Sequence, residues 1–111
     1  MDEELFDLVR ALVSDIVAER YAQIVADGRA GSVPEEAFRR VIGDYPCRPV
    51  RLPDEAIAMI GIVPASGDPD VWSLDVPFWT LEEGRSDLML QLTATKGPNG
   101  YKIEIDDVGV L

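Results

Sequence analysis

The chain has 111 residues, 47% of them hydrophobic, and carries 21 acidic against 10 basic side chains, a formal net charge of −11. This length suits one domain that buries roughly two thirds of its unfolded surface around a single modest core. The charge disfavours phosphate backbones and anionic membrane surfaces, so neither nucleic acid nor a membrane is an expected partner.

The first segment, Glu3 to Asp27, places Leu5, Leu8, Leu12, Ile16 and Ile24 three and four residues apart, with Val9, Val13, Val17, Tyr21 and Val25 beside them. This spacing predicts an amphipathic helix of about 25 residues. Asp2, Glu3 and Glu4 complement its positive dipole end, and Gly28 supplies a stop. A stripe this long predicts that part of it faces a second copy of the chain, giving a homodimer through the first helix. Charges throughout the segment argue against a membrane span. The acidic start lacks the basic residues of a secretory leader, which points to the cytoplasm.

Ser32-Val33-Pro34-Glu35 has the form of a capping box with proline in the first turn. It predicts a second helix over about Pro34 to Ile42, with Ala37, Phe38, Val41 and Ile42 inward and Gly43 as its end. The two helices form a hairpin joined by Gly28 to Gly31. Asp44 to Pro53 holds three prolines and is expected to be an ordered loop. Pro53-Asp54-Glu55 opens a helical turn, and Ile57 to Val63 follows as a strand.

From Val71 onward, apolar and polar residues alternate in three runs separated by two turn signals, the pattern of an antiparallel meander with one dry and one wet face. The first strand spans Val71 to Thr80, with Trp72, Leu74, Val76 and Phe78 inward. Pro77 marks an edge or a bulge. Gly84 takes positive φ in the loop that follows. The second strand, Asp87 to Thr95, turns Leu88, Leu90, Leu92 and Ala94 inward. Gly97-Pro98-Asn99-Gly100 is a turn. In the third strand, Tyr101 to Val110, the parity of Tyr101, Ile103 and Ile105 is opposite to that of Val108 and Val110. A β-bulge at Asp106-Asp107 restores the phase.

Any catalysis by this chain would rest on carboxylates, tyrosine, lysine or backbone groups. The chain has no histidine and only one cysteine, Cys47. An intramolecular disulfide, the usual zinc and copper sites, and Ser-His or Cys-His nucleophilic pairs are all excluded. Arg48 and Arg51 would lower the Cys47 pKa, but a catalytic thiol without a histidine is not expected. Asp75, Asp87, Glu104, Asp106 and Asp107 gather on the wet face. They read as a solvated acidic surface without a compact cation-binding loop, so no metal or cofactor is predicted. Within Glu82-Glu83-Gly84-Arg85-Ser86-Asp87, Arg85 is expected to pair with Asp87, Asp106 or Asp107. Trp79 has outward parity and suits an interface anchor, or packing under the N-terminal helices or under Pro77.

The string Trp79-Thr80-x-Glu82-Glu83-Gly84-Arg85-Ser86-Asp87-Leu88, with Leu90 and Ile105-Asp106-Asp107 through Leu111, resembles the signature of an uncharacterised bacterial family of small acidic proteins. The likeness is close over the C-terminal half and extends to the helical half by pattern. It implies no catalytic residues. The order of helix, helix and curved sheet also resembles the cystatin-like or NTF2-like cone, in reduced form.

These readings converge on an α+β domain in which a helical hairpin (about 3–43) packs on a three- to four-stranded antiparallel meander (about 57–111). The expected function is protein binding: recognition of a basic protein partner through Asp75, Trp79, Glu82, Glu83, Arg85 and Asp87, as an immunity-type inhibitor of a basic toxin would do. The alternative is a small-ligand pocket or carboxylate enzyme using Asp75, Asp107 or Tyr101 beside an apolar cavity.

Overall fold

A computed structural model describes residues 3–110, so the expectation placed on Asp2 lies outside the described residues. The architecture is α+β, with helices on one face of an antiparallel sheet. The elements are α1 (Glu3–Val17), α2 (Tyr21–Ala26), α3 (Glu35–Asp44), β1 (Pro49–Val50), α4 (Asp54–Ile57), β2 (Gly61–Pro64), β3 (Val71–Thr80), β4 (Gly84–Gly97) and β5 (Gly100–Val110). No helix among the described residues is long and apolar enough to cross a membrane.

The single 25-residue helix expected at the N-terminus is broken in two. The Glu19 N–H donates to the Ile16 carbonyl (2.9 Å) and the Arg20 N–H to the Asp15 carbonyl (2.9 Å), while Glu19 takes a φ of +60°. These are the paired bonds of a Schellman stop, here with glutamate in the left-handed position that glycine usually fills. Such a residue costs about 1–2 kcal/mol, so the periodicity that continues through it gave no warning of the break. The same bonds recur at Gly28, φ +84°, where the sequence does signal the stop.

The expected capping box is also absent. Pro34 occupies the N-cap of α3 and makes no side-chain cap bond. The helix runs through Gly43 to Asp44. The N-terminal half thus holds three helices in place of two. The apolar stripe of α1 turns inward: Leu5, Val9, Leu12, Val13 and Ile16 are all buried in the core. Leu8 and Val17 of the same stripe are half-buried and Val25 is exposed.

The meander follows the expected course. β3 pairs with β4 and β4 with β5, while β1 and β2 lie end to end along the other edge of β3. Pro77 falls in the gap between them, at a register irregularity as well. β4 passes Phe78 with three residues, Ser86 to Leu88, which makes a bulge. A second bulge lies at Asp106, between the pairs Gln91↔Asp107 and Leu92↔Ile105. It lets Ile103, Ile105 and Val108 all be buried despite their change of parity.

Both sheet edges are protected. On β5, Tyr101 N–H donates to the Glu4 carboxylate (3.0 Å) and Ile105 N–H to the Arg29 carbonyl (2.8 Å). On β2, the bond from Ala65 N–H to the Val71 carbonyl fixes the alternation, so Ile62 and Pro64 turn their backbone groups outward. Pro64 has no donor to offer there, which blunts the edge.

Candidate functional site

The β3–β4 hairpin tip carries most of the residues singled out in the sequence, and the structure divides them. Glu83 is held from two sides. Tyr45 Oη–H donates to its carboxylate, 2.9 Å from both oxygens, and Thr80 Oγ1–H donates to Glu83 Oε1 at 3.0 Å. Glu83 N–H donates back to Thr80 Oγ1, also at 3.0 Å. The bulge at Ser86 to Leu88 leaves Asp87 N–H off the ladder, and it donates to Tyr45 Oη at 3.2 Å. Glu83 therefore fixes the tip to the loop after α3. Burial of the Tyr45 ring and the neighbouring Glu83 push the phenol above its ordinary pKa.

Trp79 is half-buried against the core, and its indole sits over Gly84, whose hypothetical Cβ would lie 3.5 Å from the ring. Of the two roles weighed for Trp79, packing is the one its position serves. Arg85, paired in register with Trp79, is exposed and makes no ion pair among the described residues, contrary to the expected contact with Asp87, Asp106 or Asp107. Glu82 and Asp87 are exposed. The tip also presents a residue that the sequence reading passed over: Leu81 is 85% exposed, the most exposed large apolar side chain among those described. Its place directly after a strand, between Thr80 and two glutamates, was the available signal.

Asp75 is exposed on the outer face, in one row with Gln91 and Asp107. Gln91 Nε2–H donates to it at 3.4 Å. Thr93 Oγ1–H donates to Asp106 at 2.6 Å, and Asp107 accepts the Val108 N–H at 2.9 Å. Among the described residues no three carboxylate or thiol groups converge to hold a metal ion. Phe78 and Leu90 are fully buried on the inner face and Ile103 nearly so. These side chains fill the inner face, while Asp75 and Asp107 are exposed on the outer one.

A cleft opens elsewhere, at the break between α1 and α2. It has a volume of about 320 Å³ and lies between the ends of α1 and α3 and the loop Tyr45 to Pro49. Its apolar wall includes Ile16, Val17, Ile42 and Pro49, and its polar groups come from Glu19, Tyr21, Arg39, Arg48, Tyr45 and Cys47. The Tyr21 ring stacks on Phe38 at 5.7 Å between centroids, and the Arg39 guanidinium lies 5.2 Å from the Tyr21 centroid. Burial raises the Tyr21 pKa, with Glu19 adding to the rise while Arg39 and Arg48 oppose it. The Cys47 thiol is also raised, by burial and then by the charges of Glu83 and Glu82. That is the reverse of the lowering expected from Arg48 and Arg51, and it keeps the group a thiol at neutral pH. A broader, more open hollow lies over the β4–β5 turn, lined by Thr93, Thr95 and Lys102 among others.

Residues 13–111 match the model of a family described as a domain of unknown function (DUF7668). The chain belongs to this family. The match takes in both the hairpin tip and every residue of the cleft. No curated protein matches the chain, and no solved structure does.

Chemically, the tip is a rigid protrusion with one apolar side chain amid carboxylates. The cleft gathers two of the ten basic residues around an apolar wall. Periodicity placed Tyr21 in one continuous helix stripe, and Arg48 was expected only as a neighbour of Cys47, so the grouping of Tyr21, Arg39 and Arg48 in one cleft was not foreseen.

Proposed function

We propose that the chain is a small protein-binding module that docks a basic protein partner on the β3–β4 tip, in the manner of a cytoplasmic bacterial immunity protein facing a basic toxin. The observation that carries this reading is Leu81, 85% exposed at a tip that Tyr45, Thr80 and Glu83 hold in place. A prearranged protrusion loses little conformational entropy on docking. An apolar anchor ringed by charges matches the arrangement of interface hot spots. Glu82, Asp87 and Asp75 are exposed on the flanks, and with the −11 net charge they favour fast, salt-dependent association with a cationic surface. Glu83 and Trp79 then serve as supports of the tip, and Leu81, Glu82, Arg85 and Asp87 as its contacts.

A pull-down at low salt from the native host, comparing wild type with a Leu81→Ser/Glu82→Gln/Asp87→Asn variant, tests the proposal. The expected result is a basic protein retained by wild type alone and released as salt rises. Equal retention by the variant, or a partner indifferent to salt, would overturn it.

A further inference from the structure

Tyr21 poses a question that the tip does not answer. The side chain is 97% buried by its neighbours, at 3% exposure, yet its hydroxyl has no hydrogen-bond partner among the described residues. Fully enclosed polar atoms without a partner are absent from the described structure, so the hydroxyl keeps its remaining contact with solvent through the cleft it lines. A hydroxyl that meets solvent only through a concavity can give its O–H to a bound ligand in place of water.

The surroundings of this hydroxyl decide what it would meet. Arg39 and Arg48 both line the cleft. Among the described residues each has one ion-pair partner, Glu35 for Arg39 and Glu19 for Arg48, and each of those pairs spans 3.7 Å, too long for a hydrogen bond. Five N–H donors on each guanidinium thus stay available. The charged side chains that line the cleft are Arg39, Arg48 and Glu19, while Glu35 lies against Arg39 and Glu82 and Glu83 lie beside the Cys47 thiol. Ile16, Val17 and Ile42 line the cleft as well. The cleft exists because the helix stops at a left-handed Glu19, and a strained residue of this sort often marks a functional position.

We propose that this cleft binds a small organic carboxylate, whose anionic end accepts the Tyr21 O–H and pairs with Arg39 and Arg48 while its apolar body lies along Ile16, Val17 and Ile42. A volume of about 320 Å³ is at the small end of ligand sites, which suits a medium-chain acid. Guanidinium groups favour carboxylates because the planar fork matches both oxygens. Glu19 makes a second anion on the ligand unfavourable, so a monocarboxylate is the better fit.

Octanoate is a suitable probe and octanamide its uncharged control, each titrated into the full chain and followed by amide NMR. Octanoate is expected to shift the signals of residues 16–21 and 39–49 saturably, with a dissociation constant on the order of 1 mM or tighter. Octanamide should produce little saturable change. Tyr21→Phe keeps the ring stacked on Phe38 and removes only the hydroxyl. It should fold as stably as wild type but bind octanoate about tenfold more weakly, the usual loss for a bond to a charged group. Arg39→Met/Arg48→Met should abolish binding. The proposal fails if octanoate gives no saturable shift, if octanamide binds equally well, or if Tyr21→Phe binds octanoate as wild type does.

Discussion

At Gly31 the chain passes close to its own sheet, and replacing it with alanine should be costly. Its φ is +58°, and a Cβ built there would lie 2.6 Å from the Ile105 carbonyl oxygen. Backbone on both sides leaves no flexible side chain to yield. The residue two positions earlier, Arg29, offers its carbonyl to the Ile105 N–H at 2.8 Å, the bond that closes this part of the β5 edge. Gly31→Ala therefore incurs about 1–2 kcal/mol for a left-handed alanine, and pushing the loop off β5 forfeits about 1 kcal/mol more with the lost hydrogen bond. The sum is about 2–3 kcal/mol. Gly28→Ala is the control. Gly28 also has positive φ, +84°, but nothing lies within 4 Å of its hypothetical Cβ. It should cost only the left-handed term, about 1–2 kcal/mol. The lower chain entropy of unfolded alanine offsets both variants alike, so the difference between them survives. Urea titration followed by the fluorescence of Trp72 and Trp79 measures both, with an unchanged slope as the sign of two-state unfolding. Amide exchange at Ile105 should accelerate in Gly31→Ala alone. Equal destabilisation of the two variants would refute the reasoning, because it would mean that the close approach imposes nothing beyond the backbone angle.

Three further perturbations test other parts of the structure. Glu19→Gly should stabilise the chain by about 1 kcal/mol in denaturant titrations, since glycine relieves the left-handed strain and the exposed pair with Arg48 is worth little; a loss would mean that this pair matters more than its 3.7 Å separation implies. Tyr45→Phe should cost about 1–2 kcal/mol, because it removes the donor to Glu83 and the acceptor for Asp87 N–H, and it should broaden the NMR signals of residues 81–87; an unchanged tip would show that Thr80 suffices to hold Glu83. The Arg29 guanidinium, bonded to Asp27 at 2.9 Å, holds that carboxyl below its ordinary range, so the pairing contributes stability that is present above the ordinary value of about 4 and is lost as pH falls through the lowered one. Asp27→Asn should then flatten part of the acid limb of a stability–pH curve, and an identical limb in the variant would count against the clamp.

Elements whose logic is local follow from residue order alone. Alternation fixed β3 and the inward set Leu74, Val76, Leu88, Leu90 and Leu92, since side chains of a strand change face at each residue and a slip would expose them all. The parity change after Ile105 demanded a bulge, and one lies at Asp106. Pro77, which has no donor to give, sits in the gap along the β3 edge. The candidate site was legible only in part. Glu82 and Asp87 are exposed as alternation and polarity suggest, but nothing near Glu83 in the sequence announces Tyr45, 38 residues away, as the group that fixes it. Trp79 faces outward by parity and is nonetheless half-covered, because Gly84 leaves room for its ring. The break at Glu19 has no glycine to signal it, and it sets Tyr21 between Phe38 and Arg39. Hydrophobic period constrains which face of an element is dry. Which side chains meet across elements is set by how those faces dock, so the pinned tip and the cleft exist only in the tertiary structure.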